Sequence, residues 1–252
     1  MNYQYDGSFE GFLSVIFQIY HDGAGQAEDI EEVRMGEGLF GNYCFVPSDW
    51  GAAERVLKGF MDRAGSRESA ILYHAFLSDE AKKERLLFRY MRYGFQRKTN
   101  SSGFMRESWM WTVAGWARKT ERERHRMLGL IRFSELEDGT LYAPIRPDTC
   151  IIPLTAGHFK KRMPVQKWMI HDVGRHIAVY YDGKTAELVH IQESAANPPL
   201  GGDEQTVRRW WTAYYKSTAI KERLNPQLRR SFMPEKYWSF LTEMQDVNDP
   251  EK

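Results

Sequence analysis

The 252-residue sequence predicts an α+β fold: a mainly antiparallel sheet of about five strands within residues 128–191, packed with N-terminal and C-terminal helices. Two Asp-Gly pairs carry that prediction. Asp138-Gly139 and Asp182-Gly183 each sit between apolar or alternating runs, and Asp-Gly readily takes the positive φ angles of a two-residue hairpin turn. Helical periodicity on both sides of this middle region supplies the rest of the fold class. The chain reads as one domain, 1–252, with a helical region over residues 1–127, the sheet over 128–191, a linker over 193–202 and a helical basic tail over 203–245.

The elements follow in order. Tyr3 to Ser8 reads as a short strand and turn, after which Phe9, Phe12, Leu13, Ile16, Phe17 and Tyr20 mark one helical face with Ser8 as N-cap. The acidic stretch Glu28 to Glu37 reads as surface. Asn42 to Val46 is a strand that Pro47 stops, and Ser48 or Asp49 caps a second helix running to about Ala64. Arg67 to Tyr93 is helical with a break at Ser78-Asp79, and Thr99 to Gly103 is a polar loop. A third long helix, about Arg106 to Met127, is anchored by Trp109, Met110, Val113 and Trp116. The hairpins pair Leu130–Leu136 with Thr140–Ile145 and His176–Tyr181 with Thr185–His190. Between them lie a short helix, Leu154 to Arg162, and a strand, Lys167 to His171. Pro226 and Pro234 break the helical tail.

Composition narrows the function classes. No stretch approaches the roughly 20 apolar residues of a membrane helix, and Met1 to Asp6 lacks the regions of a signal peptide, so a cytoplasmic protein without a membrane partner is expected. Cys44 and Cys150 have no C-x-x-C partner and read as reduced, buried thiols. A net charge of +1 conceals segregation: Met1 to Glu54 holds ten acidic residues against one basic, Arg85 to Arg132 twelve basic against three acidic, and Val207 to Lys236 eight against two. Oppositely charged regions on a near-neutral chain suit a polyanion, with charge pairing between the segments as the alternative.

Several motifs fail on context. Gly36 to Gly41 matches G-x-G-x-x-G, but an acidic segment precedes it and a strand follows, the reverse of a dinucleotide site, so it reads as a turn. The signatures of phosphate-loop NTPases, zincins and serine hydrolases are lacking. No cofactor or metal site is expected.

The remaining candidates are cationic and aromatic. Arg118, Arg122 and Arg126 recur every four residues with Lys119 beside them, a helix face for phosphate contact or for solvent. Lys160, Lys161 and Arg162 close a short helix, where they also answer its dipole. Arg208, Arg209, Arg229 and Arg230 interleave with Trp210, Trp211, Tyr214, Tyr215, Tyr237 and Trp238. Such a mixture suits unpaired nucleic acid, with Trp211, Tyr215 and Trp238 as stacking candidates, and each ring is equally a core residue. His171, Asp172 and His176 lie at neighbouring strand ends as catalytic candidates, and His158 and Glu193 are candidate ligands beside them.

Four stretches span nearly the whole chain in a specific combination: Tyr5 to Phe12, Arg126 to Phe133, Trp168 to Gly183, and Asn225 to Leu228 through Met233-Pro234 to Tyr237-Trp238. In these the chain resembles an uncharacterised bacterial family of DNA-metabolism or DNA-repair proteins. The resemblance implies a gene neighbour, a radical-S-adenosylmethionine protein, and a similar domain fused in front of uracil-DNA-glycosylase-like domains. It implies no catalytic residues. The chain lacks a C-x-x-x-C-x-x-C cluster motif and a glycosylase domain, so that chemistry falls to a partner. The expectation is a protein that binds DNA, single-stranded or damaged, and presents it to a radical-S-adenosylmethionine enzyme. The alternatives are a DNA-acting glycosylase or nuclease-like hydrolase, and a protein scaffold without DNA binding.

Overall fold

The computed structural model describes residues 2–23, 29–32, 43–96, 107–191 and 198–245. The chain forms two compact units, Met1–Glu121 and Arg122–Lys252, and the division falls inside a long helix.

In the first unit, β1 (Asn2–Tyr5) is the central strand of a three-stranded parallel sheet, flanked by β2 (Asp29–Glu32) and β3 (Tyr43–Phe45). Around it run α1 (Phe9–His21), α2 (Trp50–Ala64), α3 (Ser66–Phe76), α4 (Lys83–Gln96) and the opening turns of α5 (Ser108–Leu130). Both anticipated caps form: Ser8 Oγ accepts from Gly11 N at 2.9 Å and Asp49 Oδ1 from Ala52 N at 3.0 Å. Each such cap contributes about 1 kcal/mol. The break at Ser78-Asp79 separates α3 from α4, with Ser78 Oγ donating to Ala75 O at 2.6 Å.

One expectation is corrected here. Four residues of the acidic stretch form β2, in register with β1 as Tyr3↔Ile30. Asp-Ile-Glu-Glu has little strand propensity, and backbone pairing with β1 plus burial of Ile30 override it. Tyr5, Phe12 and Phe76 fill the core beneath, their ring centroids 5.6 to 6.4 Å apart. Glycine at position 94 lets α4 lie against α2, because a Cβ there would sit 2.3 Å from the Phe60 ring.

The second unit is built on a five-stranded sheet of order β4-β5-β6-β7-β8: Ser134–Glu135, Leu141–Ile145, Trp168–Asp172, Ile177–Tyr181 and Ala186–His190. Only β5 and β6 are parallel, joined by α6 (Ile152–Arg162). The other pairings are antiparallel, giving the expected mainly antiparallel sheet. Both Asp-Gly pairs turn a hairpin, but neither makes the two-residue turn expected: only the glycines take positive φ, and longer loops join Glu135 to Leu141 and Tyr181 to Ala186. Asp138 Oδ1 accepts from Thr140 N, Asp182 Oδ1 accepts from Lys184 N and Thr185 N, and Gly139 and Gly183 have φ of 78° and 98°.

The strand expected over Leu130–Leu136 shrinks to two residues, because α5 continues past Met127 to Leu130 and buries Leu130 in the core. Trp168 stacks on Tyr181 at 5.1 Å, and Phe159 of α6 meets Trp168 at 6.1 Å. The C-terminal elements are α7 (Glu204–Thr218), α8 (Pro226–Phe232), a 3-10 segment Glu235–Phe240 and α9 (Thr242–Gln245). Pro226 opens α8 at its first turn, where its missing N–H costs nothing.

The cysteine expectation is corrected too. Neither thiol is in a disulfide, but Cys44 is exposed and Cys150 half-buried. No described helix is long and apolar enough to cross a membrane. The G-x-G-x-x-G stretch, the polar loop Thr99–Gly103 and Glu193 lie outside the described residues.

Candidate nucleic-acid interface

A cleft of about 850 Å³ opens in the second unit between the end of α5, α6 and α7. The last turns of α5 bring Arg124, His125 and Leu128, and the chain leaving the helix adds Arg132 and Phe133. From α6 come His158, Phe159 and Arg162, with Trp211 of α7 on the rim. Three guanidinium groups and two imidazoles thus share an apolar floor, since Phe133 and Phe159 pack edge to face at 5.3 Å.

Arg132 is the best-fixed cation. Its Nη2 donates to Glu243 Oε1 at 2.7 Å, its Nη1 to Gly129 O at 2.9 Å, and the guanidinium lies 5.4 Å from the Trp211 ring centre. Trp211 Nε1 donates to the other Glu243 oxygen at 2.8 Å. Burial alone would raise the Glu243 carboxyl pKa, but the bonds from Arg132 and Trp211 hold it below the ordinary range. The carboxylate therefore stays charged, sets both side chains, and cancels the charge of Arg132. Arg162 is exposed at the C-terminal end of α6 and carries no ion pair among the described residues.

Of the anticipated cations, Arg162 lines this cleft, and Lys160 and Lys161 stand exposed on the same last turn of α6, Lys160 with its ammonium 5.8 Å from the Tyr181 ring centre. Arg122 is exposed and Arg126 half-buried one turn apart on α5, and neither lines the cleft. In the first unit, Arg118 is exposed with Nε on Ala114 O at 3.2 Å, and Lys119 pairs with Glu80 at 3.3 Å.

The tail cations serve mostly local contacts. Arg208 binds Glu204 at 2.9 Å and Ser134 Oγ at 2.8 Å, tying α7 to β4. Arg209 donates to Thr206, Arg230 pairs with Glu235 at 2.7 Å, and Arg229 lies over the Trp238 ring at 5.2 Å.

The three stacking candidates have different fates. Trp211 is 38% exposed, Tyr215 is half-buried against the core, and Trp238 is a core ring at 6%. The more open rings of α7 are Trp210 at 70% and Tyr214 at 59%. Trp211 and Tyr214 lie 5.9 Å apart at 36°, a tilted aromatic strip beside the cleft.

The catalytic candidates occupy the sheet. His171 is 1% exposed; its Nδ1 shares a 2.8 Å hydrogen bond with Tyr142 Oη, and its buried Nε2 has no partner among the described residues. Burial pushes its pKa down, Asp172 opposes this, and His176 adds to it. Asp172 is fully buried, where Oδ1 accepts from Gly174 N and Arg175 N and Oδ2 pairs with Arg175 Nη1 at 2.7 Å. It clamps a tight turn. His176, with φ of 55°, is exposed at that turn. None of the three lines the cleft. Among the described residues no three His, Cys, Asp or Glu side chains gather as metal ligands.

Arg124, His125, Arg132, Trp210 and Tyr214 are functional candidates that did not stand out as site residues. Spacing could have found some of them, because His158 with Arg162, Arg124 with Leu128, and Val207 with Trp210 and Tyr214 each repeat at helical intervals.

Fold and cleft together define the class: an α+β protein of two compact units, the second carrying a basic cleft edged by exposed aromatic rings. Residues 81–243 match the model of DUF4130, a domain of unknown function, and the chain belongs to this family. No curated protein and no solved structure matches the chain.

Proposed function

We propose that the protein binds DNA, single-stranded or lesion-bearing, along the cleft of the second unit, and presents it to a partner radical-S-adenosylmethionine enzyme in the cytoplasm. The observation that carries the reading is the convergence of Arg124 and Arg162 from separate helices on one cleft, beside Trp211, which Glu243 and Arg132 set in place. Guanidinium groups hold phosphates whatever the base sequence, and flat rings accept any unpaired base on a face. Trp210 and Tyr214 are open for that stacking. The partner enzyme, and a role in DNA repair, enter through the family resemblance in the quoted sequence stretches.

Anisotropy of a labelled single-stranded oligonucleotide at low and moderate salt tests the contact. Affinity should fall as salt rises, and Arg124→Ala/Arg162→Ala should weaken binding about tenfold at low salt while lowering the salt slope by about one to two. Binding that ignores salt, or an unchanged slope in the double variant, would reject phosphate contact here.

A scaffold reading has one observation in its favour. Ile220, Leu224, Leu228 and Phe232 leave apolar surface exposed around α8, as a protein-docking face would. Capture of the partner enzyme by a chain with no oligonucleotide affinity would favour it over the first reading.

A further inference from the structure

The first unit holds another arginine cluster, and its chemistry differs from that of the cleft just described. On α4, Arg85, Arg89 and Arg92 follow one another at intervals of four and three, so they share a helix face along about 10 Å. They line a cleft of about 550 Å³ with Gln96 of the same helix, and with Glu107 and Trp109 at the start of α5. Arg85 and Arg89 are exposed and Arg92 is half-buried. Among the described residues none of the three forms an ion pair, and neither does Glu107. The nearest acid on their own helix, Glu84, is buried and accepts from Tyr5 Oη at 3.0 Å.

Aromatic rings, in place of carboxylates, orient two of these guanidinium groups. Arg89 lies 4.5 Å over the Trp109 ring and Arg92 5.8 Å from the Phe88 ring. Trp109 is itself held by edge contacts from Tyr90 at 6.4 Å and Tyr93 at 6.2 Å. Tyr90 in turn is pinned by its 2.6 Å bond to Glu68. A ring orients a guanidinium through its face and leaves the charge and the N–H edge uncommitted, which a carboxylate does not. The Trp109 Nε1 donor is buried without an acceptor among the described residues.

We infer that this cleft is an anion site for the phosphate of a nucleotide. Two ring-oriented guanidinium forks with a third arginine beside them match the several oxygens of a phosphate better than the two of a carboxylate, and the volume lies in the range of small-ligand sites. Gln96 offers one neutral donor and acceptor for a base edge. Among the described residues the lining is net positive, three arginines against Glu107, which favours an anion of more than one charge. A free nucleotide and the phosphorylated end of a strand share this chemistry. The inference does not rest on the strand contact proposed for the second unit.

Titration calorimetry on the full chain with deoxyadenosine monophosphate and with deoxyadenosine tests it. The monophosphate should bind at least about tenfold more tightly than the nucleoside, and Arg89→Ala/Arg92→Ala should remove about that factor. Because that double variant also disturbs ring packing, Arg85→Gln serves beside it. Arg85 is exposed and makes no described ring contact, so its variant should fold as the native chain does and lose about threefold in affinity. Equal binding of nucleoside and monophosphate, or unchanged binding in Arg85→Gln together with the double variant, would overturn the inference. Short oligonucleotides with and without a 5′-phosphate then separate the sources. A preference for the phosphorylated end over the free monophosphate assigns the site to a strand terminus, and the reverse assigns it to a free nucleotide.

Discussion

The two clefts each gather three arginines, yet they hold them by opposite means. In the second unit Arg132 is clamped by the buried carboxylate of Glu243, which fixes the guanidinium and neutralises it. In the first unit Arg89 is set by the face of Trp109, which fixes it and leaves its charge in play. The lesson is that a count of basic residues says little about available positive charge. What matters is whether each cation is oriented by an acid or by a ring. By that measure the first unit's cleft offers, among the described residues, three cations against one exposed carboxylate, whereas the second unit's cleft relies on Arg162 for charge with no described ion pair and uses Arg132 as an anchor for Trp211.

The largest expected effect tests the acid anchor. Glu243→Ala strands the Arg132 guanidinium and the Trp211 N–H, both partly buried, and should cost about 3 kcal/mol in urea unfolding. A loss well under about 1 kcal/mol would mean that the carboxylate does not organise the cleft. The pH dependence has a defined sign. The folded-state pKa of Glu243 is depressed, so its contribution is complete above the ordinary glutamate value and is lost as pH falls through the lower folded value. The native chain should therefore lose stability in acid more steeply than Glu243→Ala. Parallel acid limbs would contradict the assignment.

The ring anchor is tested at Trp109. Trp109→Ala removes the platform under Arg89 and the edge contacts with Tyr90 and Tyr93, at a cost of about 2 kcal/mol for a half-buried ring. Trp109→Phe keeps an aromatic face and deletes the orphan N–H, so thermal unfolding should show a change within about 0.5 kcal/mol. If both variants lose equally, the indole nitrogen has a partner that matters to folding, and the contrast between acid and ring anchoring weakens.

Local chemistry explains what was legible in the sequence. Ser8 and Asp49 cap their helices, and Asp138-Gly139 and Asp182-Gly183 turn their hairpins, because each signal acts within three residues of itself. Long-range effects were not legible. Asp29–Glu32 becomes a strand through pairing with β1, and α5 overruns into the expected first hairpin strand because Leu130 is drawn into a core shared with Leu241 and Met244. In the candidate site, Arg162 and Trp211 stood out from local sequence. Arg132 did not, since its place depends on Glu243, 111 residues away. Trp238, surrounded by cations in sequence, reads like an open ring and is a core one; nothing local separates it from Trp210. The α4 arginines were visible only within a segment's charge total, and the ring that orients Arg89 belongs to the next helix.

The smallest effect is the most direct measure of uncommitted charge. Arg85 and Arg89 stand four residues apart on one helix face, Arg92 follows three further on, and no described carboxylate pairs with them. Like charges at that spacing repel, so Arg85→Ala should stabilise the chain by about 0.3 kcal/mol at low salt, read as a small rise in thermal midpoint. Added salt should erase the gain by screening the repulsion. In the second unit Arg132→Ala should do the opposite and destabilise at any ionic strength, because it unpairs Glu243. If Arg85→Ala also destabilised, and did so equally at high salt, Arg85 would be serving the fold through packing, and the first cleft would hold less free positive charge than its geometry indicates.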